Sequence, residues 1–206
     1  MADEIQWLRE VREGLWTKLG TAMDAGLPVP CGFVATPRSS ERNIRDAYEE
    51  LKVREHTHYV AVRTSAKALI DVIGSDALMH ALRAIWTETA GEEVLIQSMV
   101  NGLWCGKAVW EAKNLRIRAA AGLLALDPDM YLFNTLNHKC SRRTLYQRPR
   151  KVFRGVDGTT RTMEVNGERR ALEWKYMELI SELATRAGSN ITWVLDDRRA
   201  WLLNCE

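Results

Sequence analysis

Between positions 139 and 154 the chain carries seven basic side chains and no acid: Lys139, Arg142, Arg143, Arg148, Arg150, Lys151 and Arg154, with Tyr146 and Phe153 interleaved. Cations mixed with aromatics suit a phosphate backbone and stacked bases, whereas the same stretch balanced by acids elsewhere would be a solvated hairpin. Arg63 follows the compact run Tyr59-Val60-Ala61-Val62. A guanidinium emerging at the end of a strand can grip phosphate oxygens bidentately or pair with a surface acid. Ser65 can add a hydrogen bond there or make the turn. Asp127 and Asp129 flank Pro128 and could hold a divalent cation, although Asp-Pro-Asp is also a turn sequence. His56 and His58 alternate onto one strand face, a weak metal spacing that surface exposure explains better. Cys31, Cys105, Cys140 and Cys205 are scattered with no C-x-x-C pair, so they read as free thiols of a reducing compartment.

The frame for these groups is 206 residues and 23.5 kDa, which bounds the chain to one domain or two small lobes sharing a core. A hydrophobic share of 46% supplies a core, and 27% charged residues do not reach the excess of a disordered chain. With 29 basic and 27 acidic residues the net charge is +2, so only a local patch could attract a polyanion. Apolar runs fall far short of the ~20 residues that span a bilayer, and the first ten residues lack a signal core. A soluble, cytoplasmic protein with no membrane partner is expected.

Ile5, Leu8, Val11, Leu15 and Leu19 recur at spacings of three and four and predict one amphipathic helix. Pro28 and Pro30 forbid its continuation, and Gly32-Phe33-Val34 reads as a short strand. Ser39 or Ser40 can cap a second helix with Ile44, Ala47, Tyr48 and Leu51 inward. Ser75 can cap a third with Leu78, Leu82, Ile85 and Trp86 inward. From Val94 to about Val165 the pattern is strand-like, with a hairpin around Val156-Asp157-Gly158-Thr159. A last helix from Arg170 to Ala187, burying Leu172, Tyr176, Leu179 and Leu183, precedes two closing strands, Ile191–Leu195 and Ala200–Leu203. The order predicts an α+β fold with mixed or antiparallel sheets and flanking helices, with lobes at 1–90 and 91–206.

Four stretches, in order, resemble the nucleotide-binding domain of the pyruvate phosphate dikinase and phosphoenolpyruvate synthase family, a member of the ATP-grasp fold. AGLPVPCGFVAT from Ala25 is similar to the family's AGLPVPPGF, and VAVRTSA from Val60 to its VRSSA. VLIQSMVNGLWCGKAVW from Val94 resembles its VQ-x-MV and the strand after it. NITWVLDDRRAWLLNCE from Asn190 resembles its closing DIEW and LLQAR. The resemblance implies a two-lobed, ATP-grasp-like domain spanning 1–206, binding ATP with Mg²⁺ and related to kinases that transfer phosphoryl groups. It assigns phosphate contacts to Arg63 and Ser65, and an adenine-reading hinge to Gln97, Met99 and Val100.

The departures from that pattern bear on chemistry. The family's phosphate-binding lysine of GGKGANL aligns with Leu15, and Lys18, one helical turn on, is the candidate substitute. After VRTSA the family's glycine-rich lid over the phosphates is replaced by the short apolar stretch 67–74. The metal-binding Glu of DIEW is Thr192, the Gln of LLQAR is Asn204 and its Arg is Glu206; threonine brings no charge to anchor Mg²⁺. None of the four histidines resembles the family's phospho-carrier motif. Three functions stay open at this level: a nucleotide-binding domain with weak or altered phosphotransfer, acting with a separately encoded phospho-carrier or substrate domain; an inactive scaffold or regulatory pseudoenzyme; and a nucleic-acid-binding module using 139–154.

Overall fold

The computed structural model describes residues 5–145, 150–155, 158–164 and 171–206. They fall into two compact units, divided between Met99 and Val100. Chain order in the first is β1 (Gln6–Trp7), α1 (Thr17–Asp24), β2 (Gly32–Ala35), α2 (Glu41–Glu55), β3 (Tyr59–Arg63), β4 (Ala68–Ile73), α3 (Ser75–Glu88) and β5 (Val94–Ser98). Its strands form one antiparallel sheet in the order β1-β2-β5-β3-β4. The strand at Val94 thus belongs to this sheet, between β2 and β3.

Side chains alternate across a strand, so each strand gives every second residue to the core. Phe33, Ala35, Val60, Val62, Val94 and Ile96 pack with Ile44, Ala47, Tyr48 and Leu51 of α2 and Leu78, Leu82 and Ile85 of α3. The intervening residues Arg63 and Gln97 are therefore turned to the opposite face. Ser40 Oγ caps α2 by accepting from the Asn43 N–H at 3.2 Å. The buried Tyr48 hydroxyl donates to the His58 carbonyl at 3.0 Å and accepts from the Gly74 N–H at 2.7 Å, tying α2 to the approaches of β3 and α3.

The single helix expected over Ile5 to Leu19 is not formed. Trp7 pairs with Phe33 as an edge strand and meets its ring edge-on at 5.7 Å, Leu8–Glu10 make a 3-10 turn, and Gly14 takes φ +89°. Leu8, Val11 and Leu19 do reach the core, but Leu15 is 46% exposed. Spacings of three and four occur in tight turns as well as in helices, and the glycine lets the chain leave helical geometry at little cost. The stretch after VRTSA is likewise a strand, β4, paired with β3 from Tyr59↔Ile73 to Arg63↔Ala68.

The second unit holds β6 (Trp104–Glu111), β7 (Asn114–Ala121), β8 (Asp129–Asn134), β9 (Lys139–Thr144), β10 (Arg150–Arg154), β11 (Thr160–Glu164), α4 (Trp174–Ala187), β12 (Ile191–Leu195) and β13 (Ala200–Cys205). Six strands form an antiparallel sheet in the order β13-β12-β6-β7-β8-β9, and β10 and β11 make a separate hairpin. Within the expected hairpin tip, Val156 and Asp157 lie outside the described residues. The helix expected from Arg170, also outside them, begins at Trp174 and ends at Gly188, which takes φ +62°. Its inner face is Met177, Ile180, Leu183 and Ala184; Leu172 is buried ahead of the helix, and Tyr176 and Leu179 are only half-buried, which shifts the expected stripe. On the sheet, Ala108, Ile117, Tyr131, Phe133, Ile191 and Trp193 are buried while Lys107, Arg116 and Arg118 on the other face are exposed. Among the described residues no helix is long and apolar enough to cross a membrane.

Candidate functional site

Arg63 ends β3, and its neighbour in the sheet is β5. The guanidinium Nη1 donates to Gln97 Oε1 at 2.9 Å, and Gln97 Nε2 donates to the Pro30 carbonyl at 2.9 Å. The Trp16 ring lies 5.7 Å from the guanidinium carbon, within cation–π range. Burial pushes the Arg63 pKa down to about 10, so it is cationic at neutral pH. Keeping that charge out of water costs on the order of 3 kcal/mol. Two residues singled out by sequence, Arg63 and Gln97, are thus in direct contact.

The others are placed differently. Ser65 is exposed, and its backbone N–H donates to Glu92 Oε1 at 2.8 Å. The turn is built by its neighbour Thr64, whose buried hydroxyl accepts from the N–H groups of Ala66 and Lys67 at 3.2 and 3.1 Å. The Met99 N–H donates to the Tyr59 carbonyl at 3.0 Å, and its Sδ accepts from the Asp71 N–H at 3.0 Å. That amide is already engaged within the sheet. Val100 opens the second unit, half-buried, and Lys18 lies exposed on α1, joining none of these contacts.

Sequence reading passed over Glu92 and Glu93. Glu93 Oε2 accepts from the Leu15 N–H at 3.2 Å, and a Cβ at Gly14 would come within 2.6 Å of that oxygen. Two adjacent carboxylates therefore occupy backbone N–H groups of both segments, 14–15 and 65, that the family resemblance gives to phosphate. A carboxylate satisfies such donors as a phosphate oxygen would. The signal was the pair Glu92-Glu93 immediately before an apolar strand, but acids at a strand entrance are ordinarily solvated.

On the second unit the register lines up one row across six strands: Asn204↔Thr192↔Lys107↔Arg118↔Met130↔Thr144. Directly opposed residues of an antiparallel sheet share a face. Thr192 and Asn204, the positions the resemblance gives to metal, are thus side by side, with Lys107 next to Thr192 and Arg118 beyond it. Glu206 Oε1 is 3.6 Å from Lys107 Nζ. Asp127 is bound by Arg150 at 2.7 and 3.3 Å, and that hydrogen bond holds its carboxyl below the usual range. Asp129 is buried, accepting from the Tyr131 hydroxyl at 3.2 Å, and by register it shares the helix-covered face with Gly106 and Trp193. Neither is presented on the row. His56 caps α2 with φ +49° and His58 precedes β3, so they do not share a strand. Among the described residues no three His, Cys, Asp or Glu side chains group to hold a metal.

Mg²⁺ demands near-octahedral oxygen ligation with carboxylate charge. A hydroxyl and an amide beside two exposed cations do not fit it.

The basic stretch is only partly described. Lys139, Arg142 and Arg143 lie on the fully exposed edge strand β9, Arg150, Lys151 and Arg154 on β10, and Tyr146 and Arg148 lie outside the described residues.

No protein-family model and no curated protein matches the sequence. Solved structures do. The D-alanine–D-alanine ligase of Bacillus anthracis aligns with a TM-score of 0.51 at 12% identity, over 91% of this chain and 53% of the ligase. The same enzyme complexed with ATP gives 0.51 at 12% over 90% and 52%. VanG D-Ala:D-Ser ligase from Enterococcus faecalis gives 0.50 at 14% over 90% and 49%. The chain has an ATP-grasp-like α+β fold. It spans about half the length of these ligases, and at such identities the likeness establishes the fold alone.

Proposed function

We propose that this chain binds a nucleotide, ATP in the first instance, as a reduced relative of the pyruvate phosphate dikinase and phosphoenolpyruvate synthase nucleotide-binding domain. The observation that carries the reading is Arg63: a half-buried guanidinium held by Gln97 and Trp16 on the sheet face turned away from α2 and α3. A cation kept partly out of water and oriented by neutral groups gains more from an arriving phosphate than a solvated one does. The ATP-grasp-like fold supports the same ligand class. On this reading Ser65, Lys18, Met99 and Val100 border the nucleotide, the protein is cytoplasmic, and the phosphoryl acceptor belongs to a separately encoded partner.

Efficient phosphotransfer is not part of the proposal. Thr192 and Asn204 offer no carboxylate to Mg²⁺, and Glu92 and Glu93 compete for the amides of the first unit. Thermal unfolding with and without ATP is the direct test. A ligand at 100 times its Kd stabilises by about 2.7 kcal/mol. Such a shift is expected in the parent and is lost in Arg63→Ala; no shift at millimolar ATP in the parent would end the nucleotide reading.

A further inference from the structure

We infer that the face of the second sheet opposite α4 is a docking surface for single-stranded nucleic acid, with phosphates on Lys107, Arg116, Arg118 and Arg142 and a base seated between the arginines. The inference goes beyond the nucleotide reading and does not depend on it: Arg63 belongs to the first unit, and all four of these cations belong to the second.

The chain's charge is segregated. Residues 100–206 hold 18 basic and 12 acidic residues, a net +6, while residues 1–99 hold 11 and 15, a net −4. The near-neutral total therefore conceals a cationic unit, and a nucleic acid rewards such concentration by releasing its counterions. Register gathers part of the excess on one face. Lys107 of β6 is opposed to Arg118 of β7. Arg116, about 7 Å along β7 and on the same face, is joined through Leu132 to Arg142 of β9. All four are exposed. Like charges directly opposed, as Lys107 and Arg118 are, destabilise a sheet, and a bound anion relieves that repulsion. Among the described residues no carboxylate pairs with Arg118 or Arg142. Arg116 holds Glu111 at 3.0 Å and Lys107 has Glu206 at 3.6 Å, exposed pairs that a multivalent chain can displace.

Cations alone would suit any polyanion; the strip between them selects an unpaired base. Met130 and Leu132 share this face on β8, with Arg118 and Arg116 opposite them on β7 and Thr144 and Arg142 opposite them on β9. Met130 is 42% exposed. A cavity of about 190 Å³ opens there, with Glu111, Arg116, Met130, Leu132, Arg142 and Thr144 in its wall. Its floor is apolar and its sides are guanidinium groups that stack on a base and hold the neighbouring phosphates. Thr144 and Glu111 offer a hydroxyl and a carboxylate to the base edge. A duplex keeps its bases stacked inside and cannot fill the cavity, and a lipid surface brings phosphates without a planar ring. The same face carries an aromatic platform at β13: half-buried Trp201 is aligned through Val194 with Cys105, two residues from Lys107, and Arg199 lies over its ring at 4.9 Å. From Trp201 to Leu132 is four strand spacings, roughly 19 Å, a path for several nucleotides of an extended strand.

The experiment is fluorescence polarisation of the full chain with labelled mixed-sequence dodecamers of RNA and DNA, the DNA duplex and an abasic strand, with phosphatidylserine vesicles measured by co-sedimentation. Single strands are expected to bind with a slope of log K against log salt near −3, the value for about four phosphate contacts. Arg116→Gln, Arg118→Gln and Arg142→Gln should each flatten that slope by about 0.7. Lys175→Gln removes the same charge from α4, on the other side of the sheet, and should leave the slope unchanged; circular dichroism checks that all four variants fold. The abasic strand, and Trp201→Leu with the intact strand, should each bind about tenfold more weakly through lost stacking. RNA and DNA bound alike support recognition of backbone and base together, and a preference for one of them supports it and names the strand. A duplex or an abasic strand bound as tightly as the intact single strand overturns the inference, and so does a loss in Lys175→Gln equal to those of the arginine variants. Vesicles bound in place of the strands overturn it in favour of an anionic membrane surface. No binding of any strand overturns it outright, while the ATP-induced thermal shift still tests Arg63 separately.

Discussion

Gln97 accepts a hydrogen bond from Arg63 at 2.9 Å while donating one to the Pro30 carbonyl at the same distance. Its amide thus fixes the guanidinium against the loop that leads into β2. With Gln97 only 1% exposed, water cannot take over either bond.

Replacing Gln97 with Leu leaves the Pro30 carbonyl without its side-chain donor and removes a bond from Arg63. Unpartnered buried polar groups cost about 1–3 kcal/mol each. Urea unfolding of Gln97→Leu is expected to show a loss of about 2 kcal/mol or more. The nucleotide-induced thermal shift should shrink as well, because Arg63 is no longer oriented. A variant with full stability and an unchanged shift would deny Gln97 its positioning role.

The depressed pKa of Arg63 sets a pH window. Burial lowers it to about 10 from 12.5, so the folded state disfavours the charge. The stability penalty is complete below about pH 10 and is relieved as pH rises from there toward the unfolded value. Nucleotide binding moves the other way. The protonated form binds phosphate, so affinity should be flat from neutrality to about pH 9 and should fall as pH passes about 10. A decline centred near pH 7 would assign the binding cation to another group.

Glu92 and Glu93 yield a prediction of opposite sign to most site substitutions. Their carboxylates accept from the Ser65 and Leu15 N–H groups, the donors an arriving phosphate would use. The double substitution Glu92→Ala, Glu93→Ala frees both amides and removes two negative charges. It should lower stability by about 1–3 kcal/mol through the lost charged hydrogen bonds. It should also tighten nucleotide binding several-fold, measured by titration at low ionic strength. Weaker binding would show that the two acids organise the site instead of filling it.

The residues that define the architecture were largely readable because burial follows period. The inner faces of α2 and α3, the closing strands and Gly188 as a helix end all follow from spacing and residue type. Ile5 to Leu19 misled because the long-range partners of Trp7 and Glu93, Phe33 and Leu15, lie 26 and 78 residues away in sequence. The Arg63–Gln97 contact spans 34 residues and depends on strand order β2-β5-β3, which no local pattern encodes. The Lys107–Arg118 opposition was legible in principle, since two strands joined by a two-residue turn fix their own register. The denser basic run from Lys139 to Arg154 masks it in the sequence, where charge density shows without register and strand opposition does not.

Gly106 separates crowding from backbone strain in the second unit. It lies between Trp193 of β12 and Ala119 of β7, and a Cβ there would sit 1.8 Å from the Arg118 carbonyl oxygen and 3.1 Å from the Trp193 ring. The obstructing oxygen is backbone in a central strand, so β6 and β7 would have to part and disturb the Lys107–Arg118 row with them. Gly188 presents the contrary case: φ is +62° but nothing lies within 4 Å of its would-be Cβ. Gly188→Ala should therefore cost only the left-handed penalty, about 1–2 kcal/mol. Gly106→Ala should cost more than about 4 kcal/mol, the exceptional end for one substitution. Urea midpoints of the two variants check the order, and equal losses would show that this sheet yields where the close approach of Gly106 to Arg118 says it cannot.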